Sequence, residues 1–439
     1  MSMKNTARHS ALIALERCRR DGAWSGDTID SVIRNNCLEK REASLSSRLV
    51  LGVLQNCTLC DFYIDKFCNS KLEPKIRDIL RLGVYQILFL DRIPARAAVN
   101  ESVSLCRDAG YERAAGLVNA VLRRIAENRD KLPEIPDQGS SKYLSIKYSH
   151  PEWLVDRLIN ERGYVFAEKI LEENNSLPKL YVQVNSLKIN TKDYLRLLDK
   201  EEIEYGYSGD VSGCIELKGG AVTELPGFAE GYVYVQDKAA RAAADIAGAC
   251  SGMSVLDACA APGGKSFSAA IAMNNCGRIL SCDIHGKKLS RINEGAERLG
   301  ITIIETLCRD ARSRDEEFDA SFDVVIADVP CSGIGVIGKK PEIRFKPETE
   351  IAALPEIQYA ILESLSGFVK PGGTLLYSTC TVLKAENEEI AERFLKEHSN
   401  FIFEDFSLGN ILSQKGMYTF WPHIDGTDGF FAAKLKRIY

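Results

Sequence analysis

The sequence predicts an α/β protein whose C-terminal part forms a Rossmann-like, doubly wound sheet, preceded by an all-α helical bundle and a small α/β linker domain. Apolar residues recur at three- and four-residue intervals through residues 4–130, as in amphipathic helices. Residues 147–235 mix helix-like and strand-like patterns, and from Gln236 short apolar strands alternate with helices. We therefore expect domains over residues 1–130, 147–235 and 236–439, with a linker at 131–146.

The predicted helical bundle has several apolar faces with helical spacing. They include Ala11, Leu12 and Leu15; Leu45, Leu49 and Val53; and Leu117, Val118, Val121 and Leu122. Pro94 ends one predicted helix, because proline cannot continue the backbone hydrogen bonding. Beyond the bundle, Pro133, Pro136 and Gly139 indicate the linker.

The small domain and the C-terminal domain are predicted from their strands. Residues 181–185 alternate like a strand, and Pro151 opens a helix. In the C-terminal domain the predicted strands are Ser254–Asp257, Arg278–Asp283, Thr302–Leu307, Phe322–Asp328 and Thr374–Ser378, and the predicted helices are Lys265–Met273, Lys287–Leu299, Pro355–Val369 and Ala385–Glu397. Such alternation favours a parallel sheet, in which ligands bind beyond the carboxyl ends of the strands.

Composition and charge exclude several classes of protein. No apolar run is long enough for a membrane helix, and the N-terminus lacks a secretory signal, so we expect a cytoplasmic protein with no membrane partner. The 14 cysteines are scattered, which favours reduced thiols over disulfides. Cys57 and Cys60 form an isolated C-x-x-C pair with only Cys68 nearby, so we expect no metal site. The net charge is −5, but residues 1–130 contain 21 Lys and Arg against 16 Asp and Glu, which is compatible with RNA binding.

A glycine-rich turn follows the first strand of the C-terminal domain, just after Asp257. It consists of Cys259, Ala260, Ala261, Pro262, Gly263, Gly264 and Lys265. The turn lacks the glycine spacing of a Walker A loop and of a nicotinamide fingerprint. Glycines at a helix N-terminus allow backbone N–H groups to approach a carboxylate closely. These features fit an amino-acid-bearing nucleoside such as S-adenosylmethionine.

Acidic residues also lie at the ends of the next two strands. Asp283 ends the second strand, where a carboxylate binds ribose hydroxyls in this architecture. Asp310 follows the third strand, and we expect it to receive the adenine amino group. A single aspartate at a strand end can equally be a helix cap or a solvated loop residue. Three successive strand ends that carry one favour a shared ligand.

Two cysteines lie in polar surroundings at predicted strand ends. Cys331 follows Asp328-Val329-Pro330, and Cys380 follows Ser378-Thr379. A free cysteine is commonly a small buried apolar residue, but polar neighbours at strand ends favour reactivity. A thiolate that attacks carbon 6 of cytosine makes carbon 5 reactive toward an electrophilic methyl group. Asp328 is the candidate acid if burial keeps its proton, and a second cysteine can share the remaining proton removal and release.

On these motifs, taken with Asp428-Gly429-Phe430-Phe431, the chain resembles the family of RNA cytosine-5 methyltransferases from about Gln236 to its end. The resemblance implies that Cys380 is the nucleophile and that Cys331 assists release. It also implies that residues 259–265, Asp283, Asp310 and Asp328 contact S-adenosylmethionine. The basic residues that follow the Pro-Cys loop in the family correspond here to Lys339, Lys340 and Arg344, which we expect to meet RNA phosphate.

Residues 4–130 resemble the helical RNA-binding domain of the antitermination factor N-utilisation substance B. The resemblance rests on Ala7-Arg8, on residues 82–86, on Val99-Asn100-Glu101 and on residues 118–124. The fusion of the two domains is similar to bacterial 16S ribosomal RNA methyltransferases, which implies 16S RNA as partner, a single-stranded or flipped target cytosine, and a monomer. Residues 147–235 then bridge RNA to the cleft or serve as a spacer. Methylation of tRNA and a non-catalytic role in ribosome assembly are the alternatives.

Overall fold

Helices dominate the N-terminal part of the chain and a large sheet dominates the C-terminal part in the computed structural model, which describes residues 6–207 and 209–439. The chain divides into two units. The first runs to Ser176 and includes Ile337–Glu348, and the second consists of Leu177–Val336 and Thr349–Tyr439. None of the helices in the described ranges combines the length and the apolar character that crossing a membrane requires.

The first unit contains ten helices among its described residues. They are α1 (Ala7–Asp21), α2 (Ser25–Asn35), α3 (Lys40–Gln55), α4 (Cys57–Phe67), α5 (Pro74–Phe89), α6 (Ala95–Asp108), α7 (Ala115–Glu127), α8 (Ser141–Tyr148), α9 (Glu152–Arg162) and α10 (Tyr164–Glu173). Local sequence sets the ends of α1. The Thr6 side chain accepts a hydrogen bond from the backbone N–H of His9, and Gly22 ends the helix in the left-handed conformation.

The predicted apolar faces form the core of this unit. Leu12, Leu49, Ile79 and Leu122 are almost completely buried, and each contributes roughly 1.5–3 kcal/mol on leaving water. A Cβ atom on Gly83 would lie 2.5 Å from Leu122 Cδ1, so α5 and α7 pack closely because this residue is glycine. The stretch 131–146 differs in part from the expectation. Its last residues begin α8, where the Ser140 side chain accepts from the N–H of Tyr143.

The prediction that Arg344 meets RNA phosphate is wrong. Its side chain is buried and therefore does not face RNA phosphate. The guanidinium donates to the carbonyls of Gln55 and Asn174 (3.1 Å for the latter) and to Asn175 Oδ1 at 2.6 Å. Burial lowers the pKa of Arg344 to about 9. Arg344 thus anchors the segment 337–348 within the first unit.

The second unit contains two larger sheets and a two-stranded one. The strands are β1 (Leu180–Val184), β2 (Tyr205–Gly206), β3 (Cys214–Leu217), β4 (Val233–Val235), β5 (Ser254–Asp257), β6 (Arg278–Asp283), β7 (Ile304–Cys308), β8 (Phe322–Asp328), β9 (Val369–Thr379), β10 (Phe401–Phe403), β11 (Ser407–Leu408), β12 (Ile411–Leu412), β13 (Met417–Phe420) and β14 (Phe430–Arg437). The helices are α11 (Thr191–Lys200), α12 (Lys238–Ala247), α13 (Gly264–Ala272), α14 (Gly286–Leu299), α15 (Glu348–Ile351), α16 (Leu354–Ser366), α17 (Glu388–Glu397) and α18 (Pro422–Asp425). The first residue of α15, Glu348, belongs to the first unit.

The large sheet has the order β10-β14-β9-β8-β5-β6-β7, with β13 paired to β14. Strands β7, β6, β5, β8 and β9 run parallel, whereas β14 pairs antiparallel with β9. The strand order reverses at β5, which lies between β6 and β8. An open α/β sheet binds its ligand beyond the carboxyl end of the strand at which the order reverses. A separate antiparallel sheet has the order β2-β3-β1-β4.

Strands β5, β6 and β8 have the predicted bounds, and β7 begins two residues later than predicted. The main difference is β9, which begins at Val369 and includes the turn-like residues Pro371, Gly372 and Gly373. A register irregularity between Phe322 and Val324 of β8 accommodates them. The C-terminal strands β10 to β14 were not predicted.

Replacing Arg344 with leucine should destabilise the first unit. The carbonyls of Gln55 and Asn174 would lose a buried donor, and each unsatisfied group costs roughly 1–3 kcal/mol. Thermal unfolding followed by circular dichroism should show a lower midpoint. Arg34→Leu, which removes an exposed arginine from α2, is the matched control. Equal midpoints for the two variants would contradict this anchoring role.

Candidate functional site

The glycine-rich turn connects β5 to α13 at the carboxyl edge of the sheet. The backbone N–H of Ala260 donates to the carbonyl of Cys282 at 2.7 Å, which ties the turn to β6. Gly263 caps α13 with φ +111°, and a Cβ atom there would lie 2.6 Å from the ring of Phe267. Only glycine fits this position.

Asp257, at the end of β5, is a fully buried carboxylic acid. Its Oδ2 accepts a hydrogen bond from Ser266 Oγ at 2.7 Å, and Ser266 Oγ also lies 2.7 Å from Ser281 Oγ. Its Oδ1 is buried with no hydrogen-bond partner in the described structure. Burial raises the pKa of Asp257 to about 7, and the hydrogen bond from Ser266 opposes that shift. This group therefore titrates near neutral pH.

Two cavities meet at Asp328. The first, of about 430 Å³, contains five of the predicted site residues in its wall, together with Ile284, Arg312, Pro330 and Ile357. Those five residues are Cys259, Ala261, Asp283, Asp310 and Asp328. The second cavity, of about 380 Å³, is lined by Pro262, Gly264, Lys265 and Asp328, together with Gln236 and Phe267. The other predicted site residues, Ala260, Gly263, Cys331 and Cys380, do not line either cavity.

Two of the three aspartates in the wall of the first cavity, Asp283 and Asp310, differ in their surroundings. Asp283 is buried, and its Oδ1 accepts from the backbone N–H of His285 at 2.8 Å. Asp310 pairs with Arg312 at 2.6 Å, and hydrogen bonds from Arg312 lower the pKa of that carboxyl. Arg312 had not been singled out in the sequence. Both carboxylates face a space large enough for a nucleoside.

An ion pair lies at the border of the two cavities. Lys265 Nζ lies 2.6 Å from Asp328 Oδ2, and Ser378 Oγ donates to Asp328 Oδ1 at 2.9 Å. The ammonium group also lies 4.8 Å from the ring centroid of Phe430. Asp328 is thus an acceptor on both oxygens, and the nearest proton donor is Lys265.

The two predicted thiols are in contact. Cys331 Sγ and Cys380 Sγ are 2.8 Å apart, and the backbone N–H of Cys380 points to Cys331 Sγ at 3.2 Å. Both residues are partly buried. The hydrogen bond with Cys380, followed by burial, raises the pKa of Cys331 well above its ordinary value. Cys331 therefore stays a neutral thiol that can donate to the sulfur of Cys380.

Glu386 holds the two cysteine loops together, although it was not singled out in the sequence. Its carboxylate accepts from the backbone N–H of Ser332 at 2.8 Å, from Ser332 Oγ at 2.5 Å and from Gln358 Nε2 at 2.9 Å. The N–H of Gly335 donates to the carbonyl of Cys380 at 3.0 Å. A Cβ atom on Gly335 would lie 1.8 Å from the carbonyl oxygen of Gly429, so the loop requires glycine there.

Other candidate residues lie elsewhere. Cys57 and Cys60 are buried in the helical core, and burial raises the pKa of Cys57 to about 12. Among residues 6–207 and 209–439, no group of three or more His, Cys, Asp or Glu side chains is arranged to hold a metal ion. His150 is buried, and its ring nitrogens lie within hydrogen-bond distance of the Tyr148 carbonyl and of Asn174 Nδ2.

Three family models and several known proteins match this chain. The 16S rRNA methyltransferase RsmB/F family matches residues 250–436, the NusB family matches residues 5–127, and the RsmF/B-like ferredoxin-like domain matches residues 150–223. Probable ribosomal RNA small subunit methyltransferase B of Bacillus subtilis (strain 168) is 37% identical, with 99% of each chain covered. The Synechocystis sp. (strain ATCC 27184 / PCC 6803 / Kazusa) protein of the same name is 34% identical over 98% of this chain and 99% of its own. The crystal structure of PH0851 is similar over 100% of both chains, with a TM-score of 0.83 and 26% identity.

Asp257 should make stability depend on pH. Its pKa is about 7 in the folded protein against an ordinary value of 3.8. The folded protein keeps a proton that the unfolded chain releases, so this contribution is complete below about pH 4 and is lost as the pH rises toward 7. The loss amounts to at most about 1.4 kcal/mol per pH unit. Relative to Asp257→Asn, the wild-type melting midpoint should fall across this window.

Glu294→Gln, a change at an exposed carboxylate of α14, is the control for this measurement. Its midpoint should follow that of the wild type at every pH. If the curve of Asp257→Asn also ran parallel to the wild-type curve between pH 4 and 7, Asp257 would not hold the proton.

Proposed function

Because the chain belongs to the RsmB/F family of 16S rRNA methyltransferases, we propose that it methylates carbon 5 of a cytosine in 16S ribosomal RNA through a covalent bond from Cys380 to carbon 6. As a member of this family the protein is an S-adenosylmethionine-dependent rRNA methyltransferase. The observation that carries the finer proposal is the contact of Cys331 Sγ and Cys380 Sγ at 2.8 Å, in the same unit as the Lys265–Asp328 pair.

The cofactor fits the first cavity. Asp283 Oδ1 accepts from the N–H of His285, whereas its Oδ2 accepts no hydrogen bond from the described residues, so Oδ2 can accept from ribose hydroxyls. Ile284, Ile357 and Ile361 supply an apolar wall for a purine. We assign the turn at residues 259–265, Asp283, Asp310 and Asp328 to cofactor binding. When bound, S-adenosylmethionine supplies an electrophilic methyl group.

The second cavity suits the target base. Lys265 and Asp328 line it, and each can form hydrogen bonds to a cytosine edge. The ammonium can donate to O2 or N3 as electron density builds on the ring, and the carboxylate can accept from the exocyclic amine. In this scheme Lys265, rather than a protonated Asp328, is the acid. That shift in role follows from the two hydrogen bonds that Asp328 accepts.

The two thiols have different tasks in this proposal. Cys380 attacks carbon 6 as the thiolate, and the neutral Cys331 thiol stabilises it by donating to its sulfur. After methyl transfer a base removes the proton from carbon 5, and the bond from carbon 6 to Cys380 breaks. We assign Cys331 to the second event, in which its thiol donates to the departing thiolate of Cys380.

The remaining domains serve the RNA in this proposal. The target base must leave its stack before a thiolate can reach carbon 6. We assign residues 1–130 to RNA binding, residues 147–235 to bridging RNA and the catalytic domain of residues 236–439, and a monomer as the working form. Incubating the enzyme with methyl-labelled S-adenosylmethionine and either 16S or transfer RNA transcripts, then mapping the label, tests the substrate. Label on cytosine 5-carbons of 16S RNA alone is the expected result.

Cys380→Ala should abolish methyl transfer, because it removes the sulfur that we propose bonds to carbon 6. We expect a loss of at least about 10³-fold in turnover. Calorimetry should show unchanged binding of S-adenosylmethionine. Cys276→Ala, at an exposed cysteine of the same unit, should retain full activity. Substantial turnover by Cys380→Ala would remove this residue as the nucleophile.

Cys331→Ala should trap the covalent RNA adduct, because attack by Cys380 proceeds while release fails. Denaturing electrophoresis of labelled 16S RNA incubated with the variant and cofactor should show a slowly migrating band that protease removes. The double variant Cys331→Ala/Cys380→Ala should give no such band. A single variant that turns over normally, with no adduct, would contradict the assigned division of tasks.

A further inference from the structure

An exposed tryptophan in the first unit lies beneath two lysines. Trp24, which precedes α2, is 47% exposed. Lys340 Nζ lies 5.2 Å from the centroid of its ring, and Lys346 Nζ lies 5.8 Å from it. Phe345, next to Lys346 in the chain, is 53% exposed. We call Trp24, Lys340, Phe345 and Lys346 the Trp24 patch.

The fold holds this patch in place. Arg344, between two of its members, is buried and anchored on backbone carbonyls. The carboxylate of Glu342 accepts from the backbone N–H of Ser25 at 2.9 Å and from Ser25 Oγ at 2.7 Å, directly after Trp24. The segment that carries Phe345 and the two lysines is therefore fixed at its centre, and Glu342 joins it to the residue that follows Trp24. Such a fixed arrangement lowers the entropy cost of binding.

The charge near the patch favours an anionic partner. Segment 337–348 contains Lys339, Lys340, Arg344 and Lys346 against Glu342 and Glu348. Glu342 is bound at the start of α2, and Glu348 pairs with Arg157 at 2.7 Å. The acidic charges of the segment are thus engaged by the protein, whereas two ammonium groups lie over an aromatic face.

We infer that the Trp24 patch binds a single-stranded segment of the substrate RNA, an inference that rests on the proposed function. Bases stack on Trp24 and Phe345, and the phosphates meet Lys340 and Lys346. Lysine side chains are long and flexible, so an incoming base can displace the ammonium groups from the indole toward its own phosphates. The backbone runs from Cys331 into this segment, which links the patch by a short stretch of chain to the loop of that thiol.

Binding of the full-length protein to a fluorescently labelled transcript of 16S RNA tests the patch. Trp24→Leu should weaken binding about tenfold, the typical effect of losing one stacked base, whereas Trp24→Phe keeps a ring and should lose less. Lys340→Gln and Lys346→Gln should each reduce the slope of log affinity against log salt by about 0.7. The control Lys142→Gln, at an exposed lysine of the same unit, should leave the affinity unchanged.

A direct contact is checked by ultraviolet cross-linking of a 4-thiouridine-substituted transcript of the same RNA. Mass spectrometry should identify cross-linked peptides that contain Trp24 or Phe345. If all patch variants bound the RNA with the affinity and the salt dependence of the wild type, the inference would be overturned. A protein partner would then be the candidate occupant of the patch. Methylation by the wild type is measured in parallel. If the wild type methylates the RNA but the patch variants bind it with unchanged affinity, only the inference about the patch is refuted. If the wild type does not methylate the RNA but the patch variants bind it more weakly, the proposed function is refuted and the inference about the patch stands.

Discussion

The ion pair between Lys265 and Asp328 is the interaction on which the candidate site depends. Lys265 belongs to the turn after β5, and Asp328 ends β8, so their contact at 2.6 Å joins the ends of neighbouring strands. Ser378 of β9 adds a third strand end through its hydrogen bond to the same carboxylate. Removing one partner of an ion pair with little exposure strongly destabilises the fold, because the other charge is left uncompensated. The same contact that fixes the strand ends also lies at the border of the two cavities, because Asp328 lines both of them.

A second buried carboxylate performs a similar task for the thiols. Glu386 is fully enclosed, and three donors satisfy its oxygens. Charge-assisted hydrogen bonds of this kind are short and directional, so they fix the loop after β8 relative to the loop after β9. The contact of the two sulfur atoms is thus a consequence of the hydrogen bonds that Glu386 accepts.

Much of the arrangement of the candidate site could be predicted from the sequence, and there is a physical reason why the remaining residues could not. Cys331 and Cys380 lie 49 residues apart in the chain, yet polar residues after two apolar strands were enough to predict a shared edge. Strand ends of a parallel sheet meet regardless of sequence distance. Glu386 was missed and Arg344 was misassigned because a charged residue is expected to be exposed until its partners are known. Arg344 is the clearest example, since its partners come from the ends of α3 and α10.

The register of β9 explains how turn-like residues contribute to the chemistry. Asp328 is paired with Ser378, whereas Phe322 is paired with Val369, so β9 has three more residues than β8 between these pairs. Gly372 takes φ +75°, and a Cβ atom on Gly373 would lie 2.9 Å from the carbonyl of Asp323, so glycine permits this local excess. A one-residue slip would turn Ser378 to the opposite face of the sheet. Asp328 would then lose its second donor, and Thr379 rather than Ser378 would face it. The glycines far from the thiols therefore determine which side chain meets the carboxylate between the cavities.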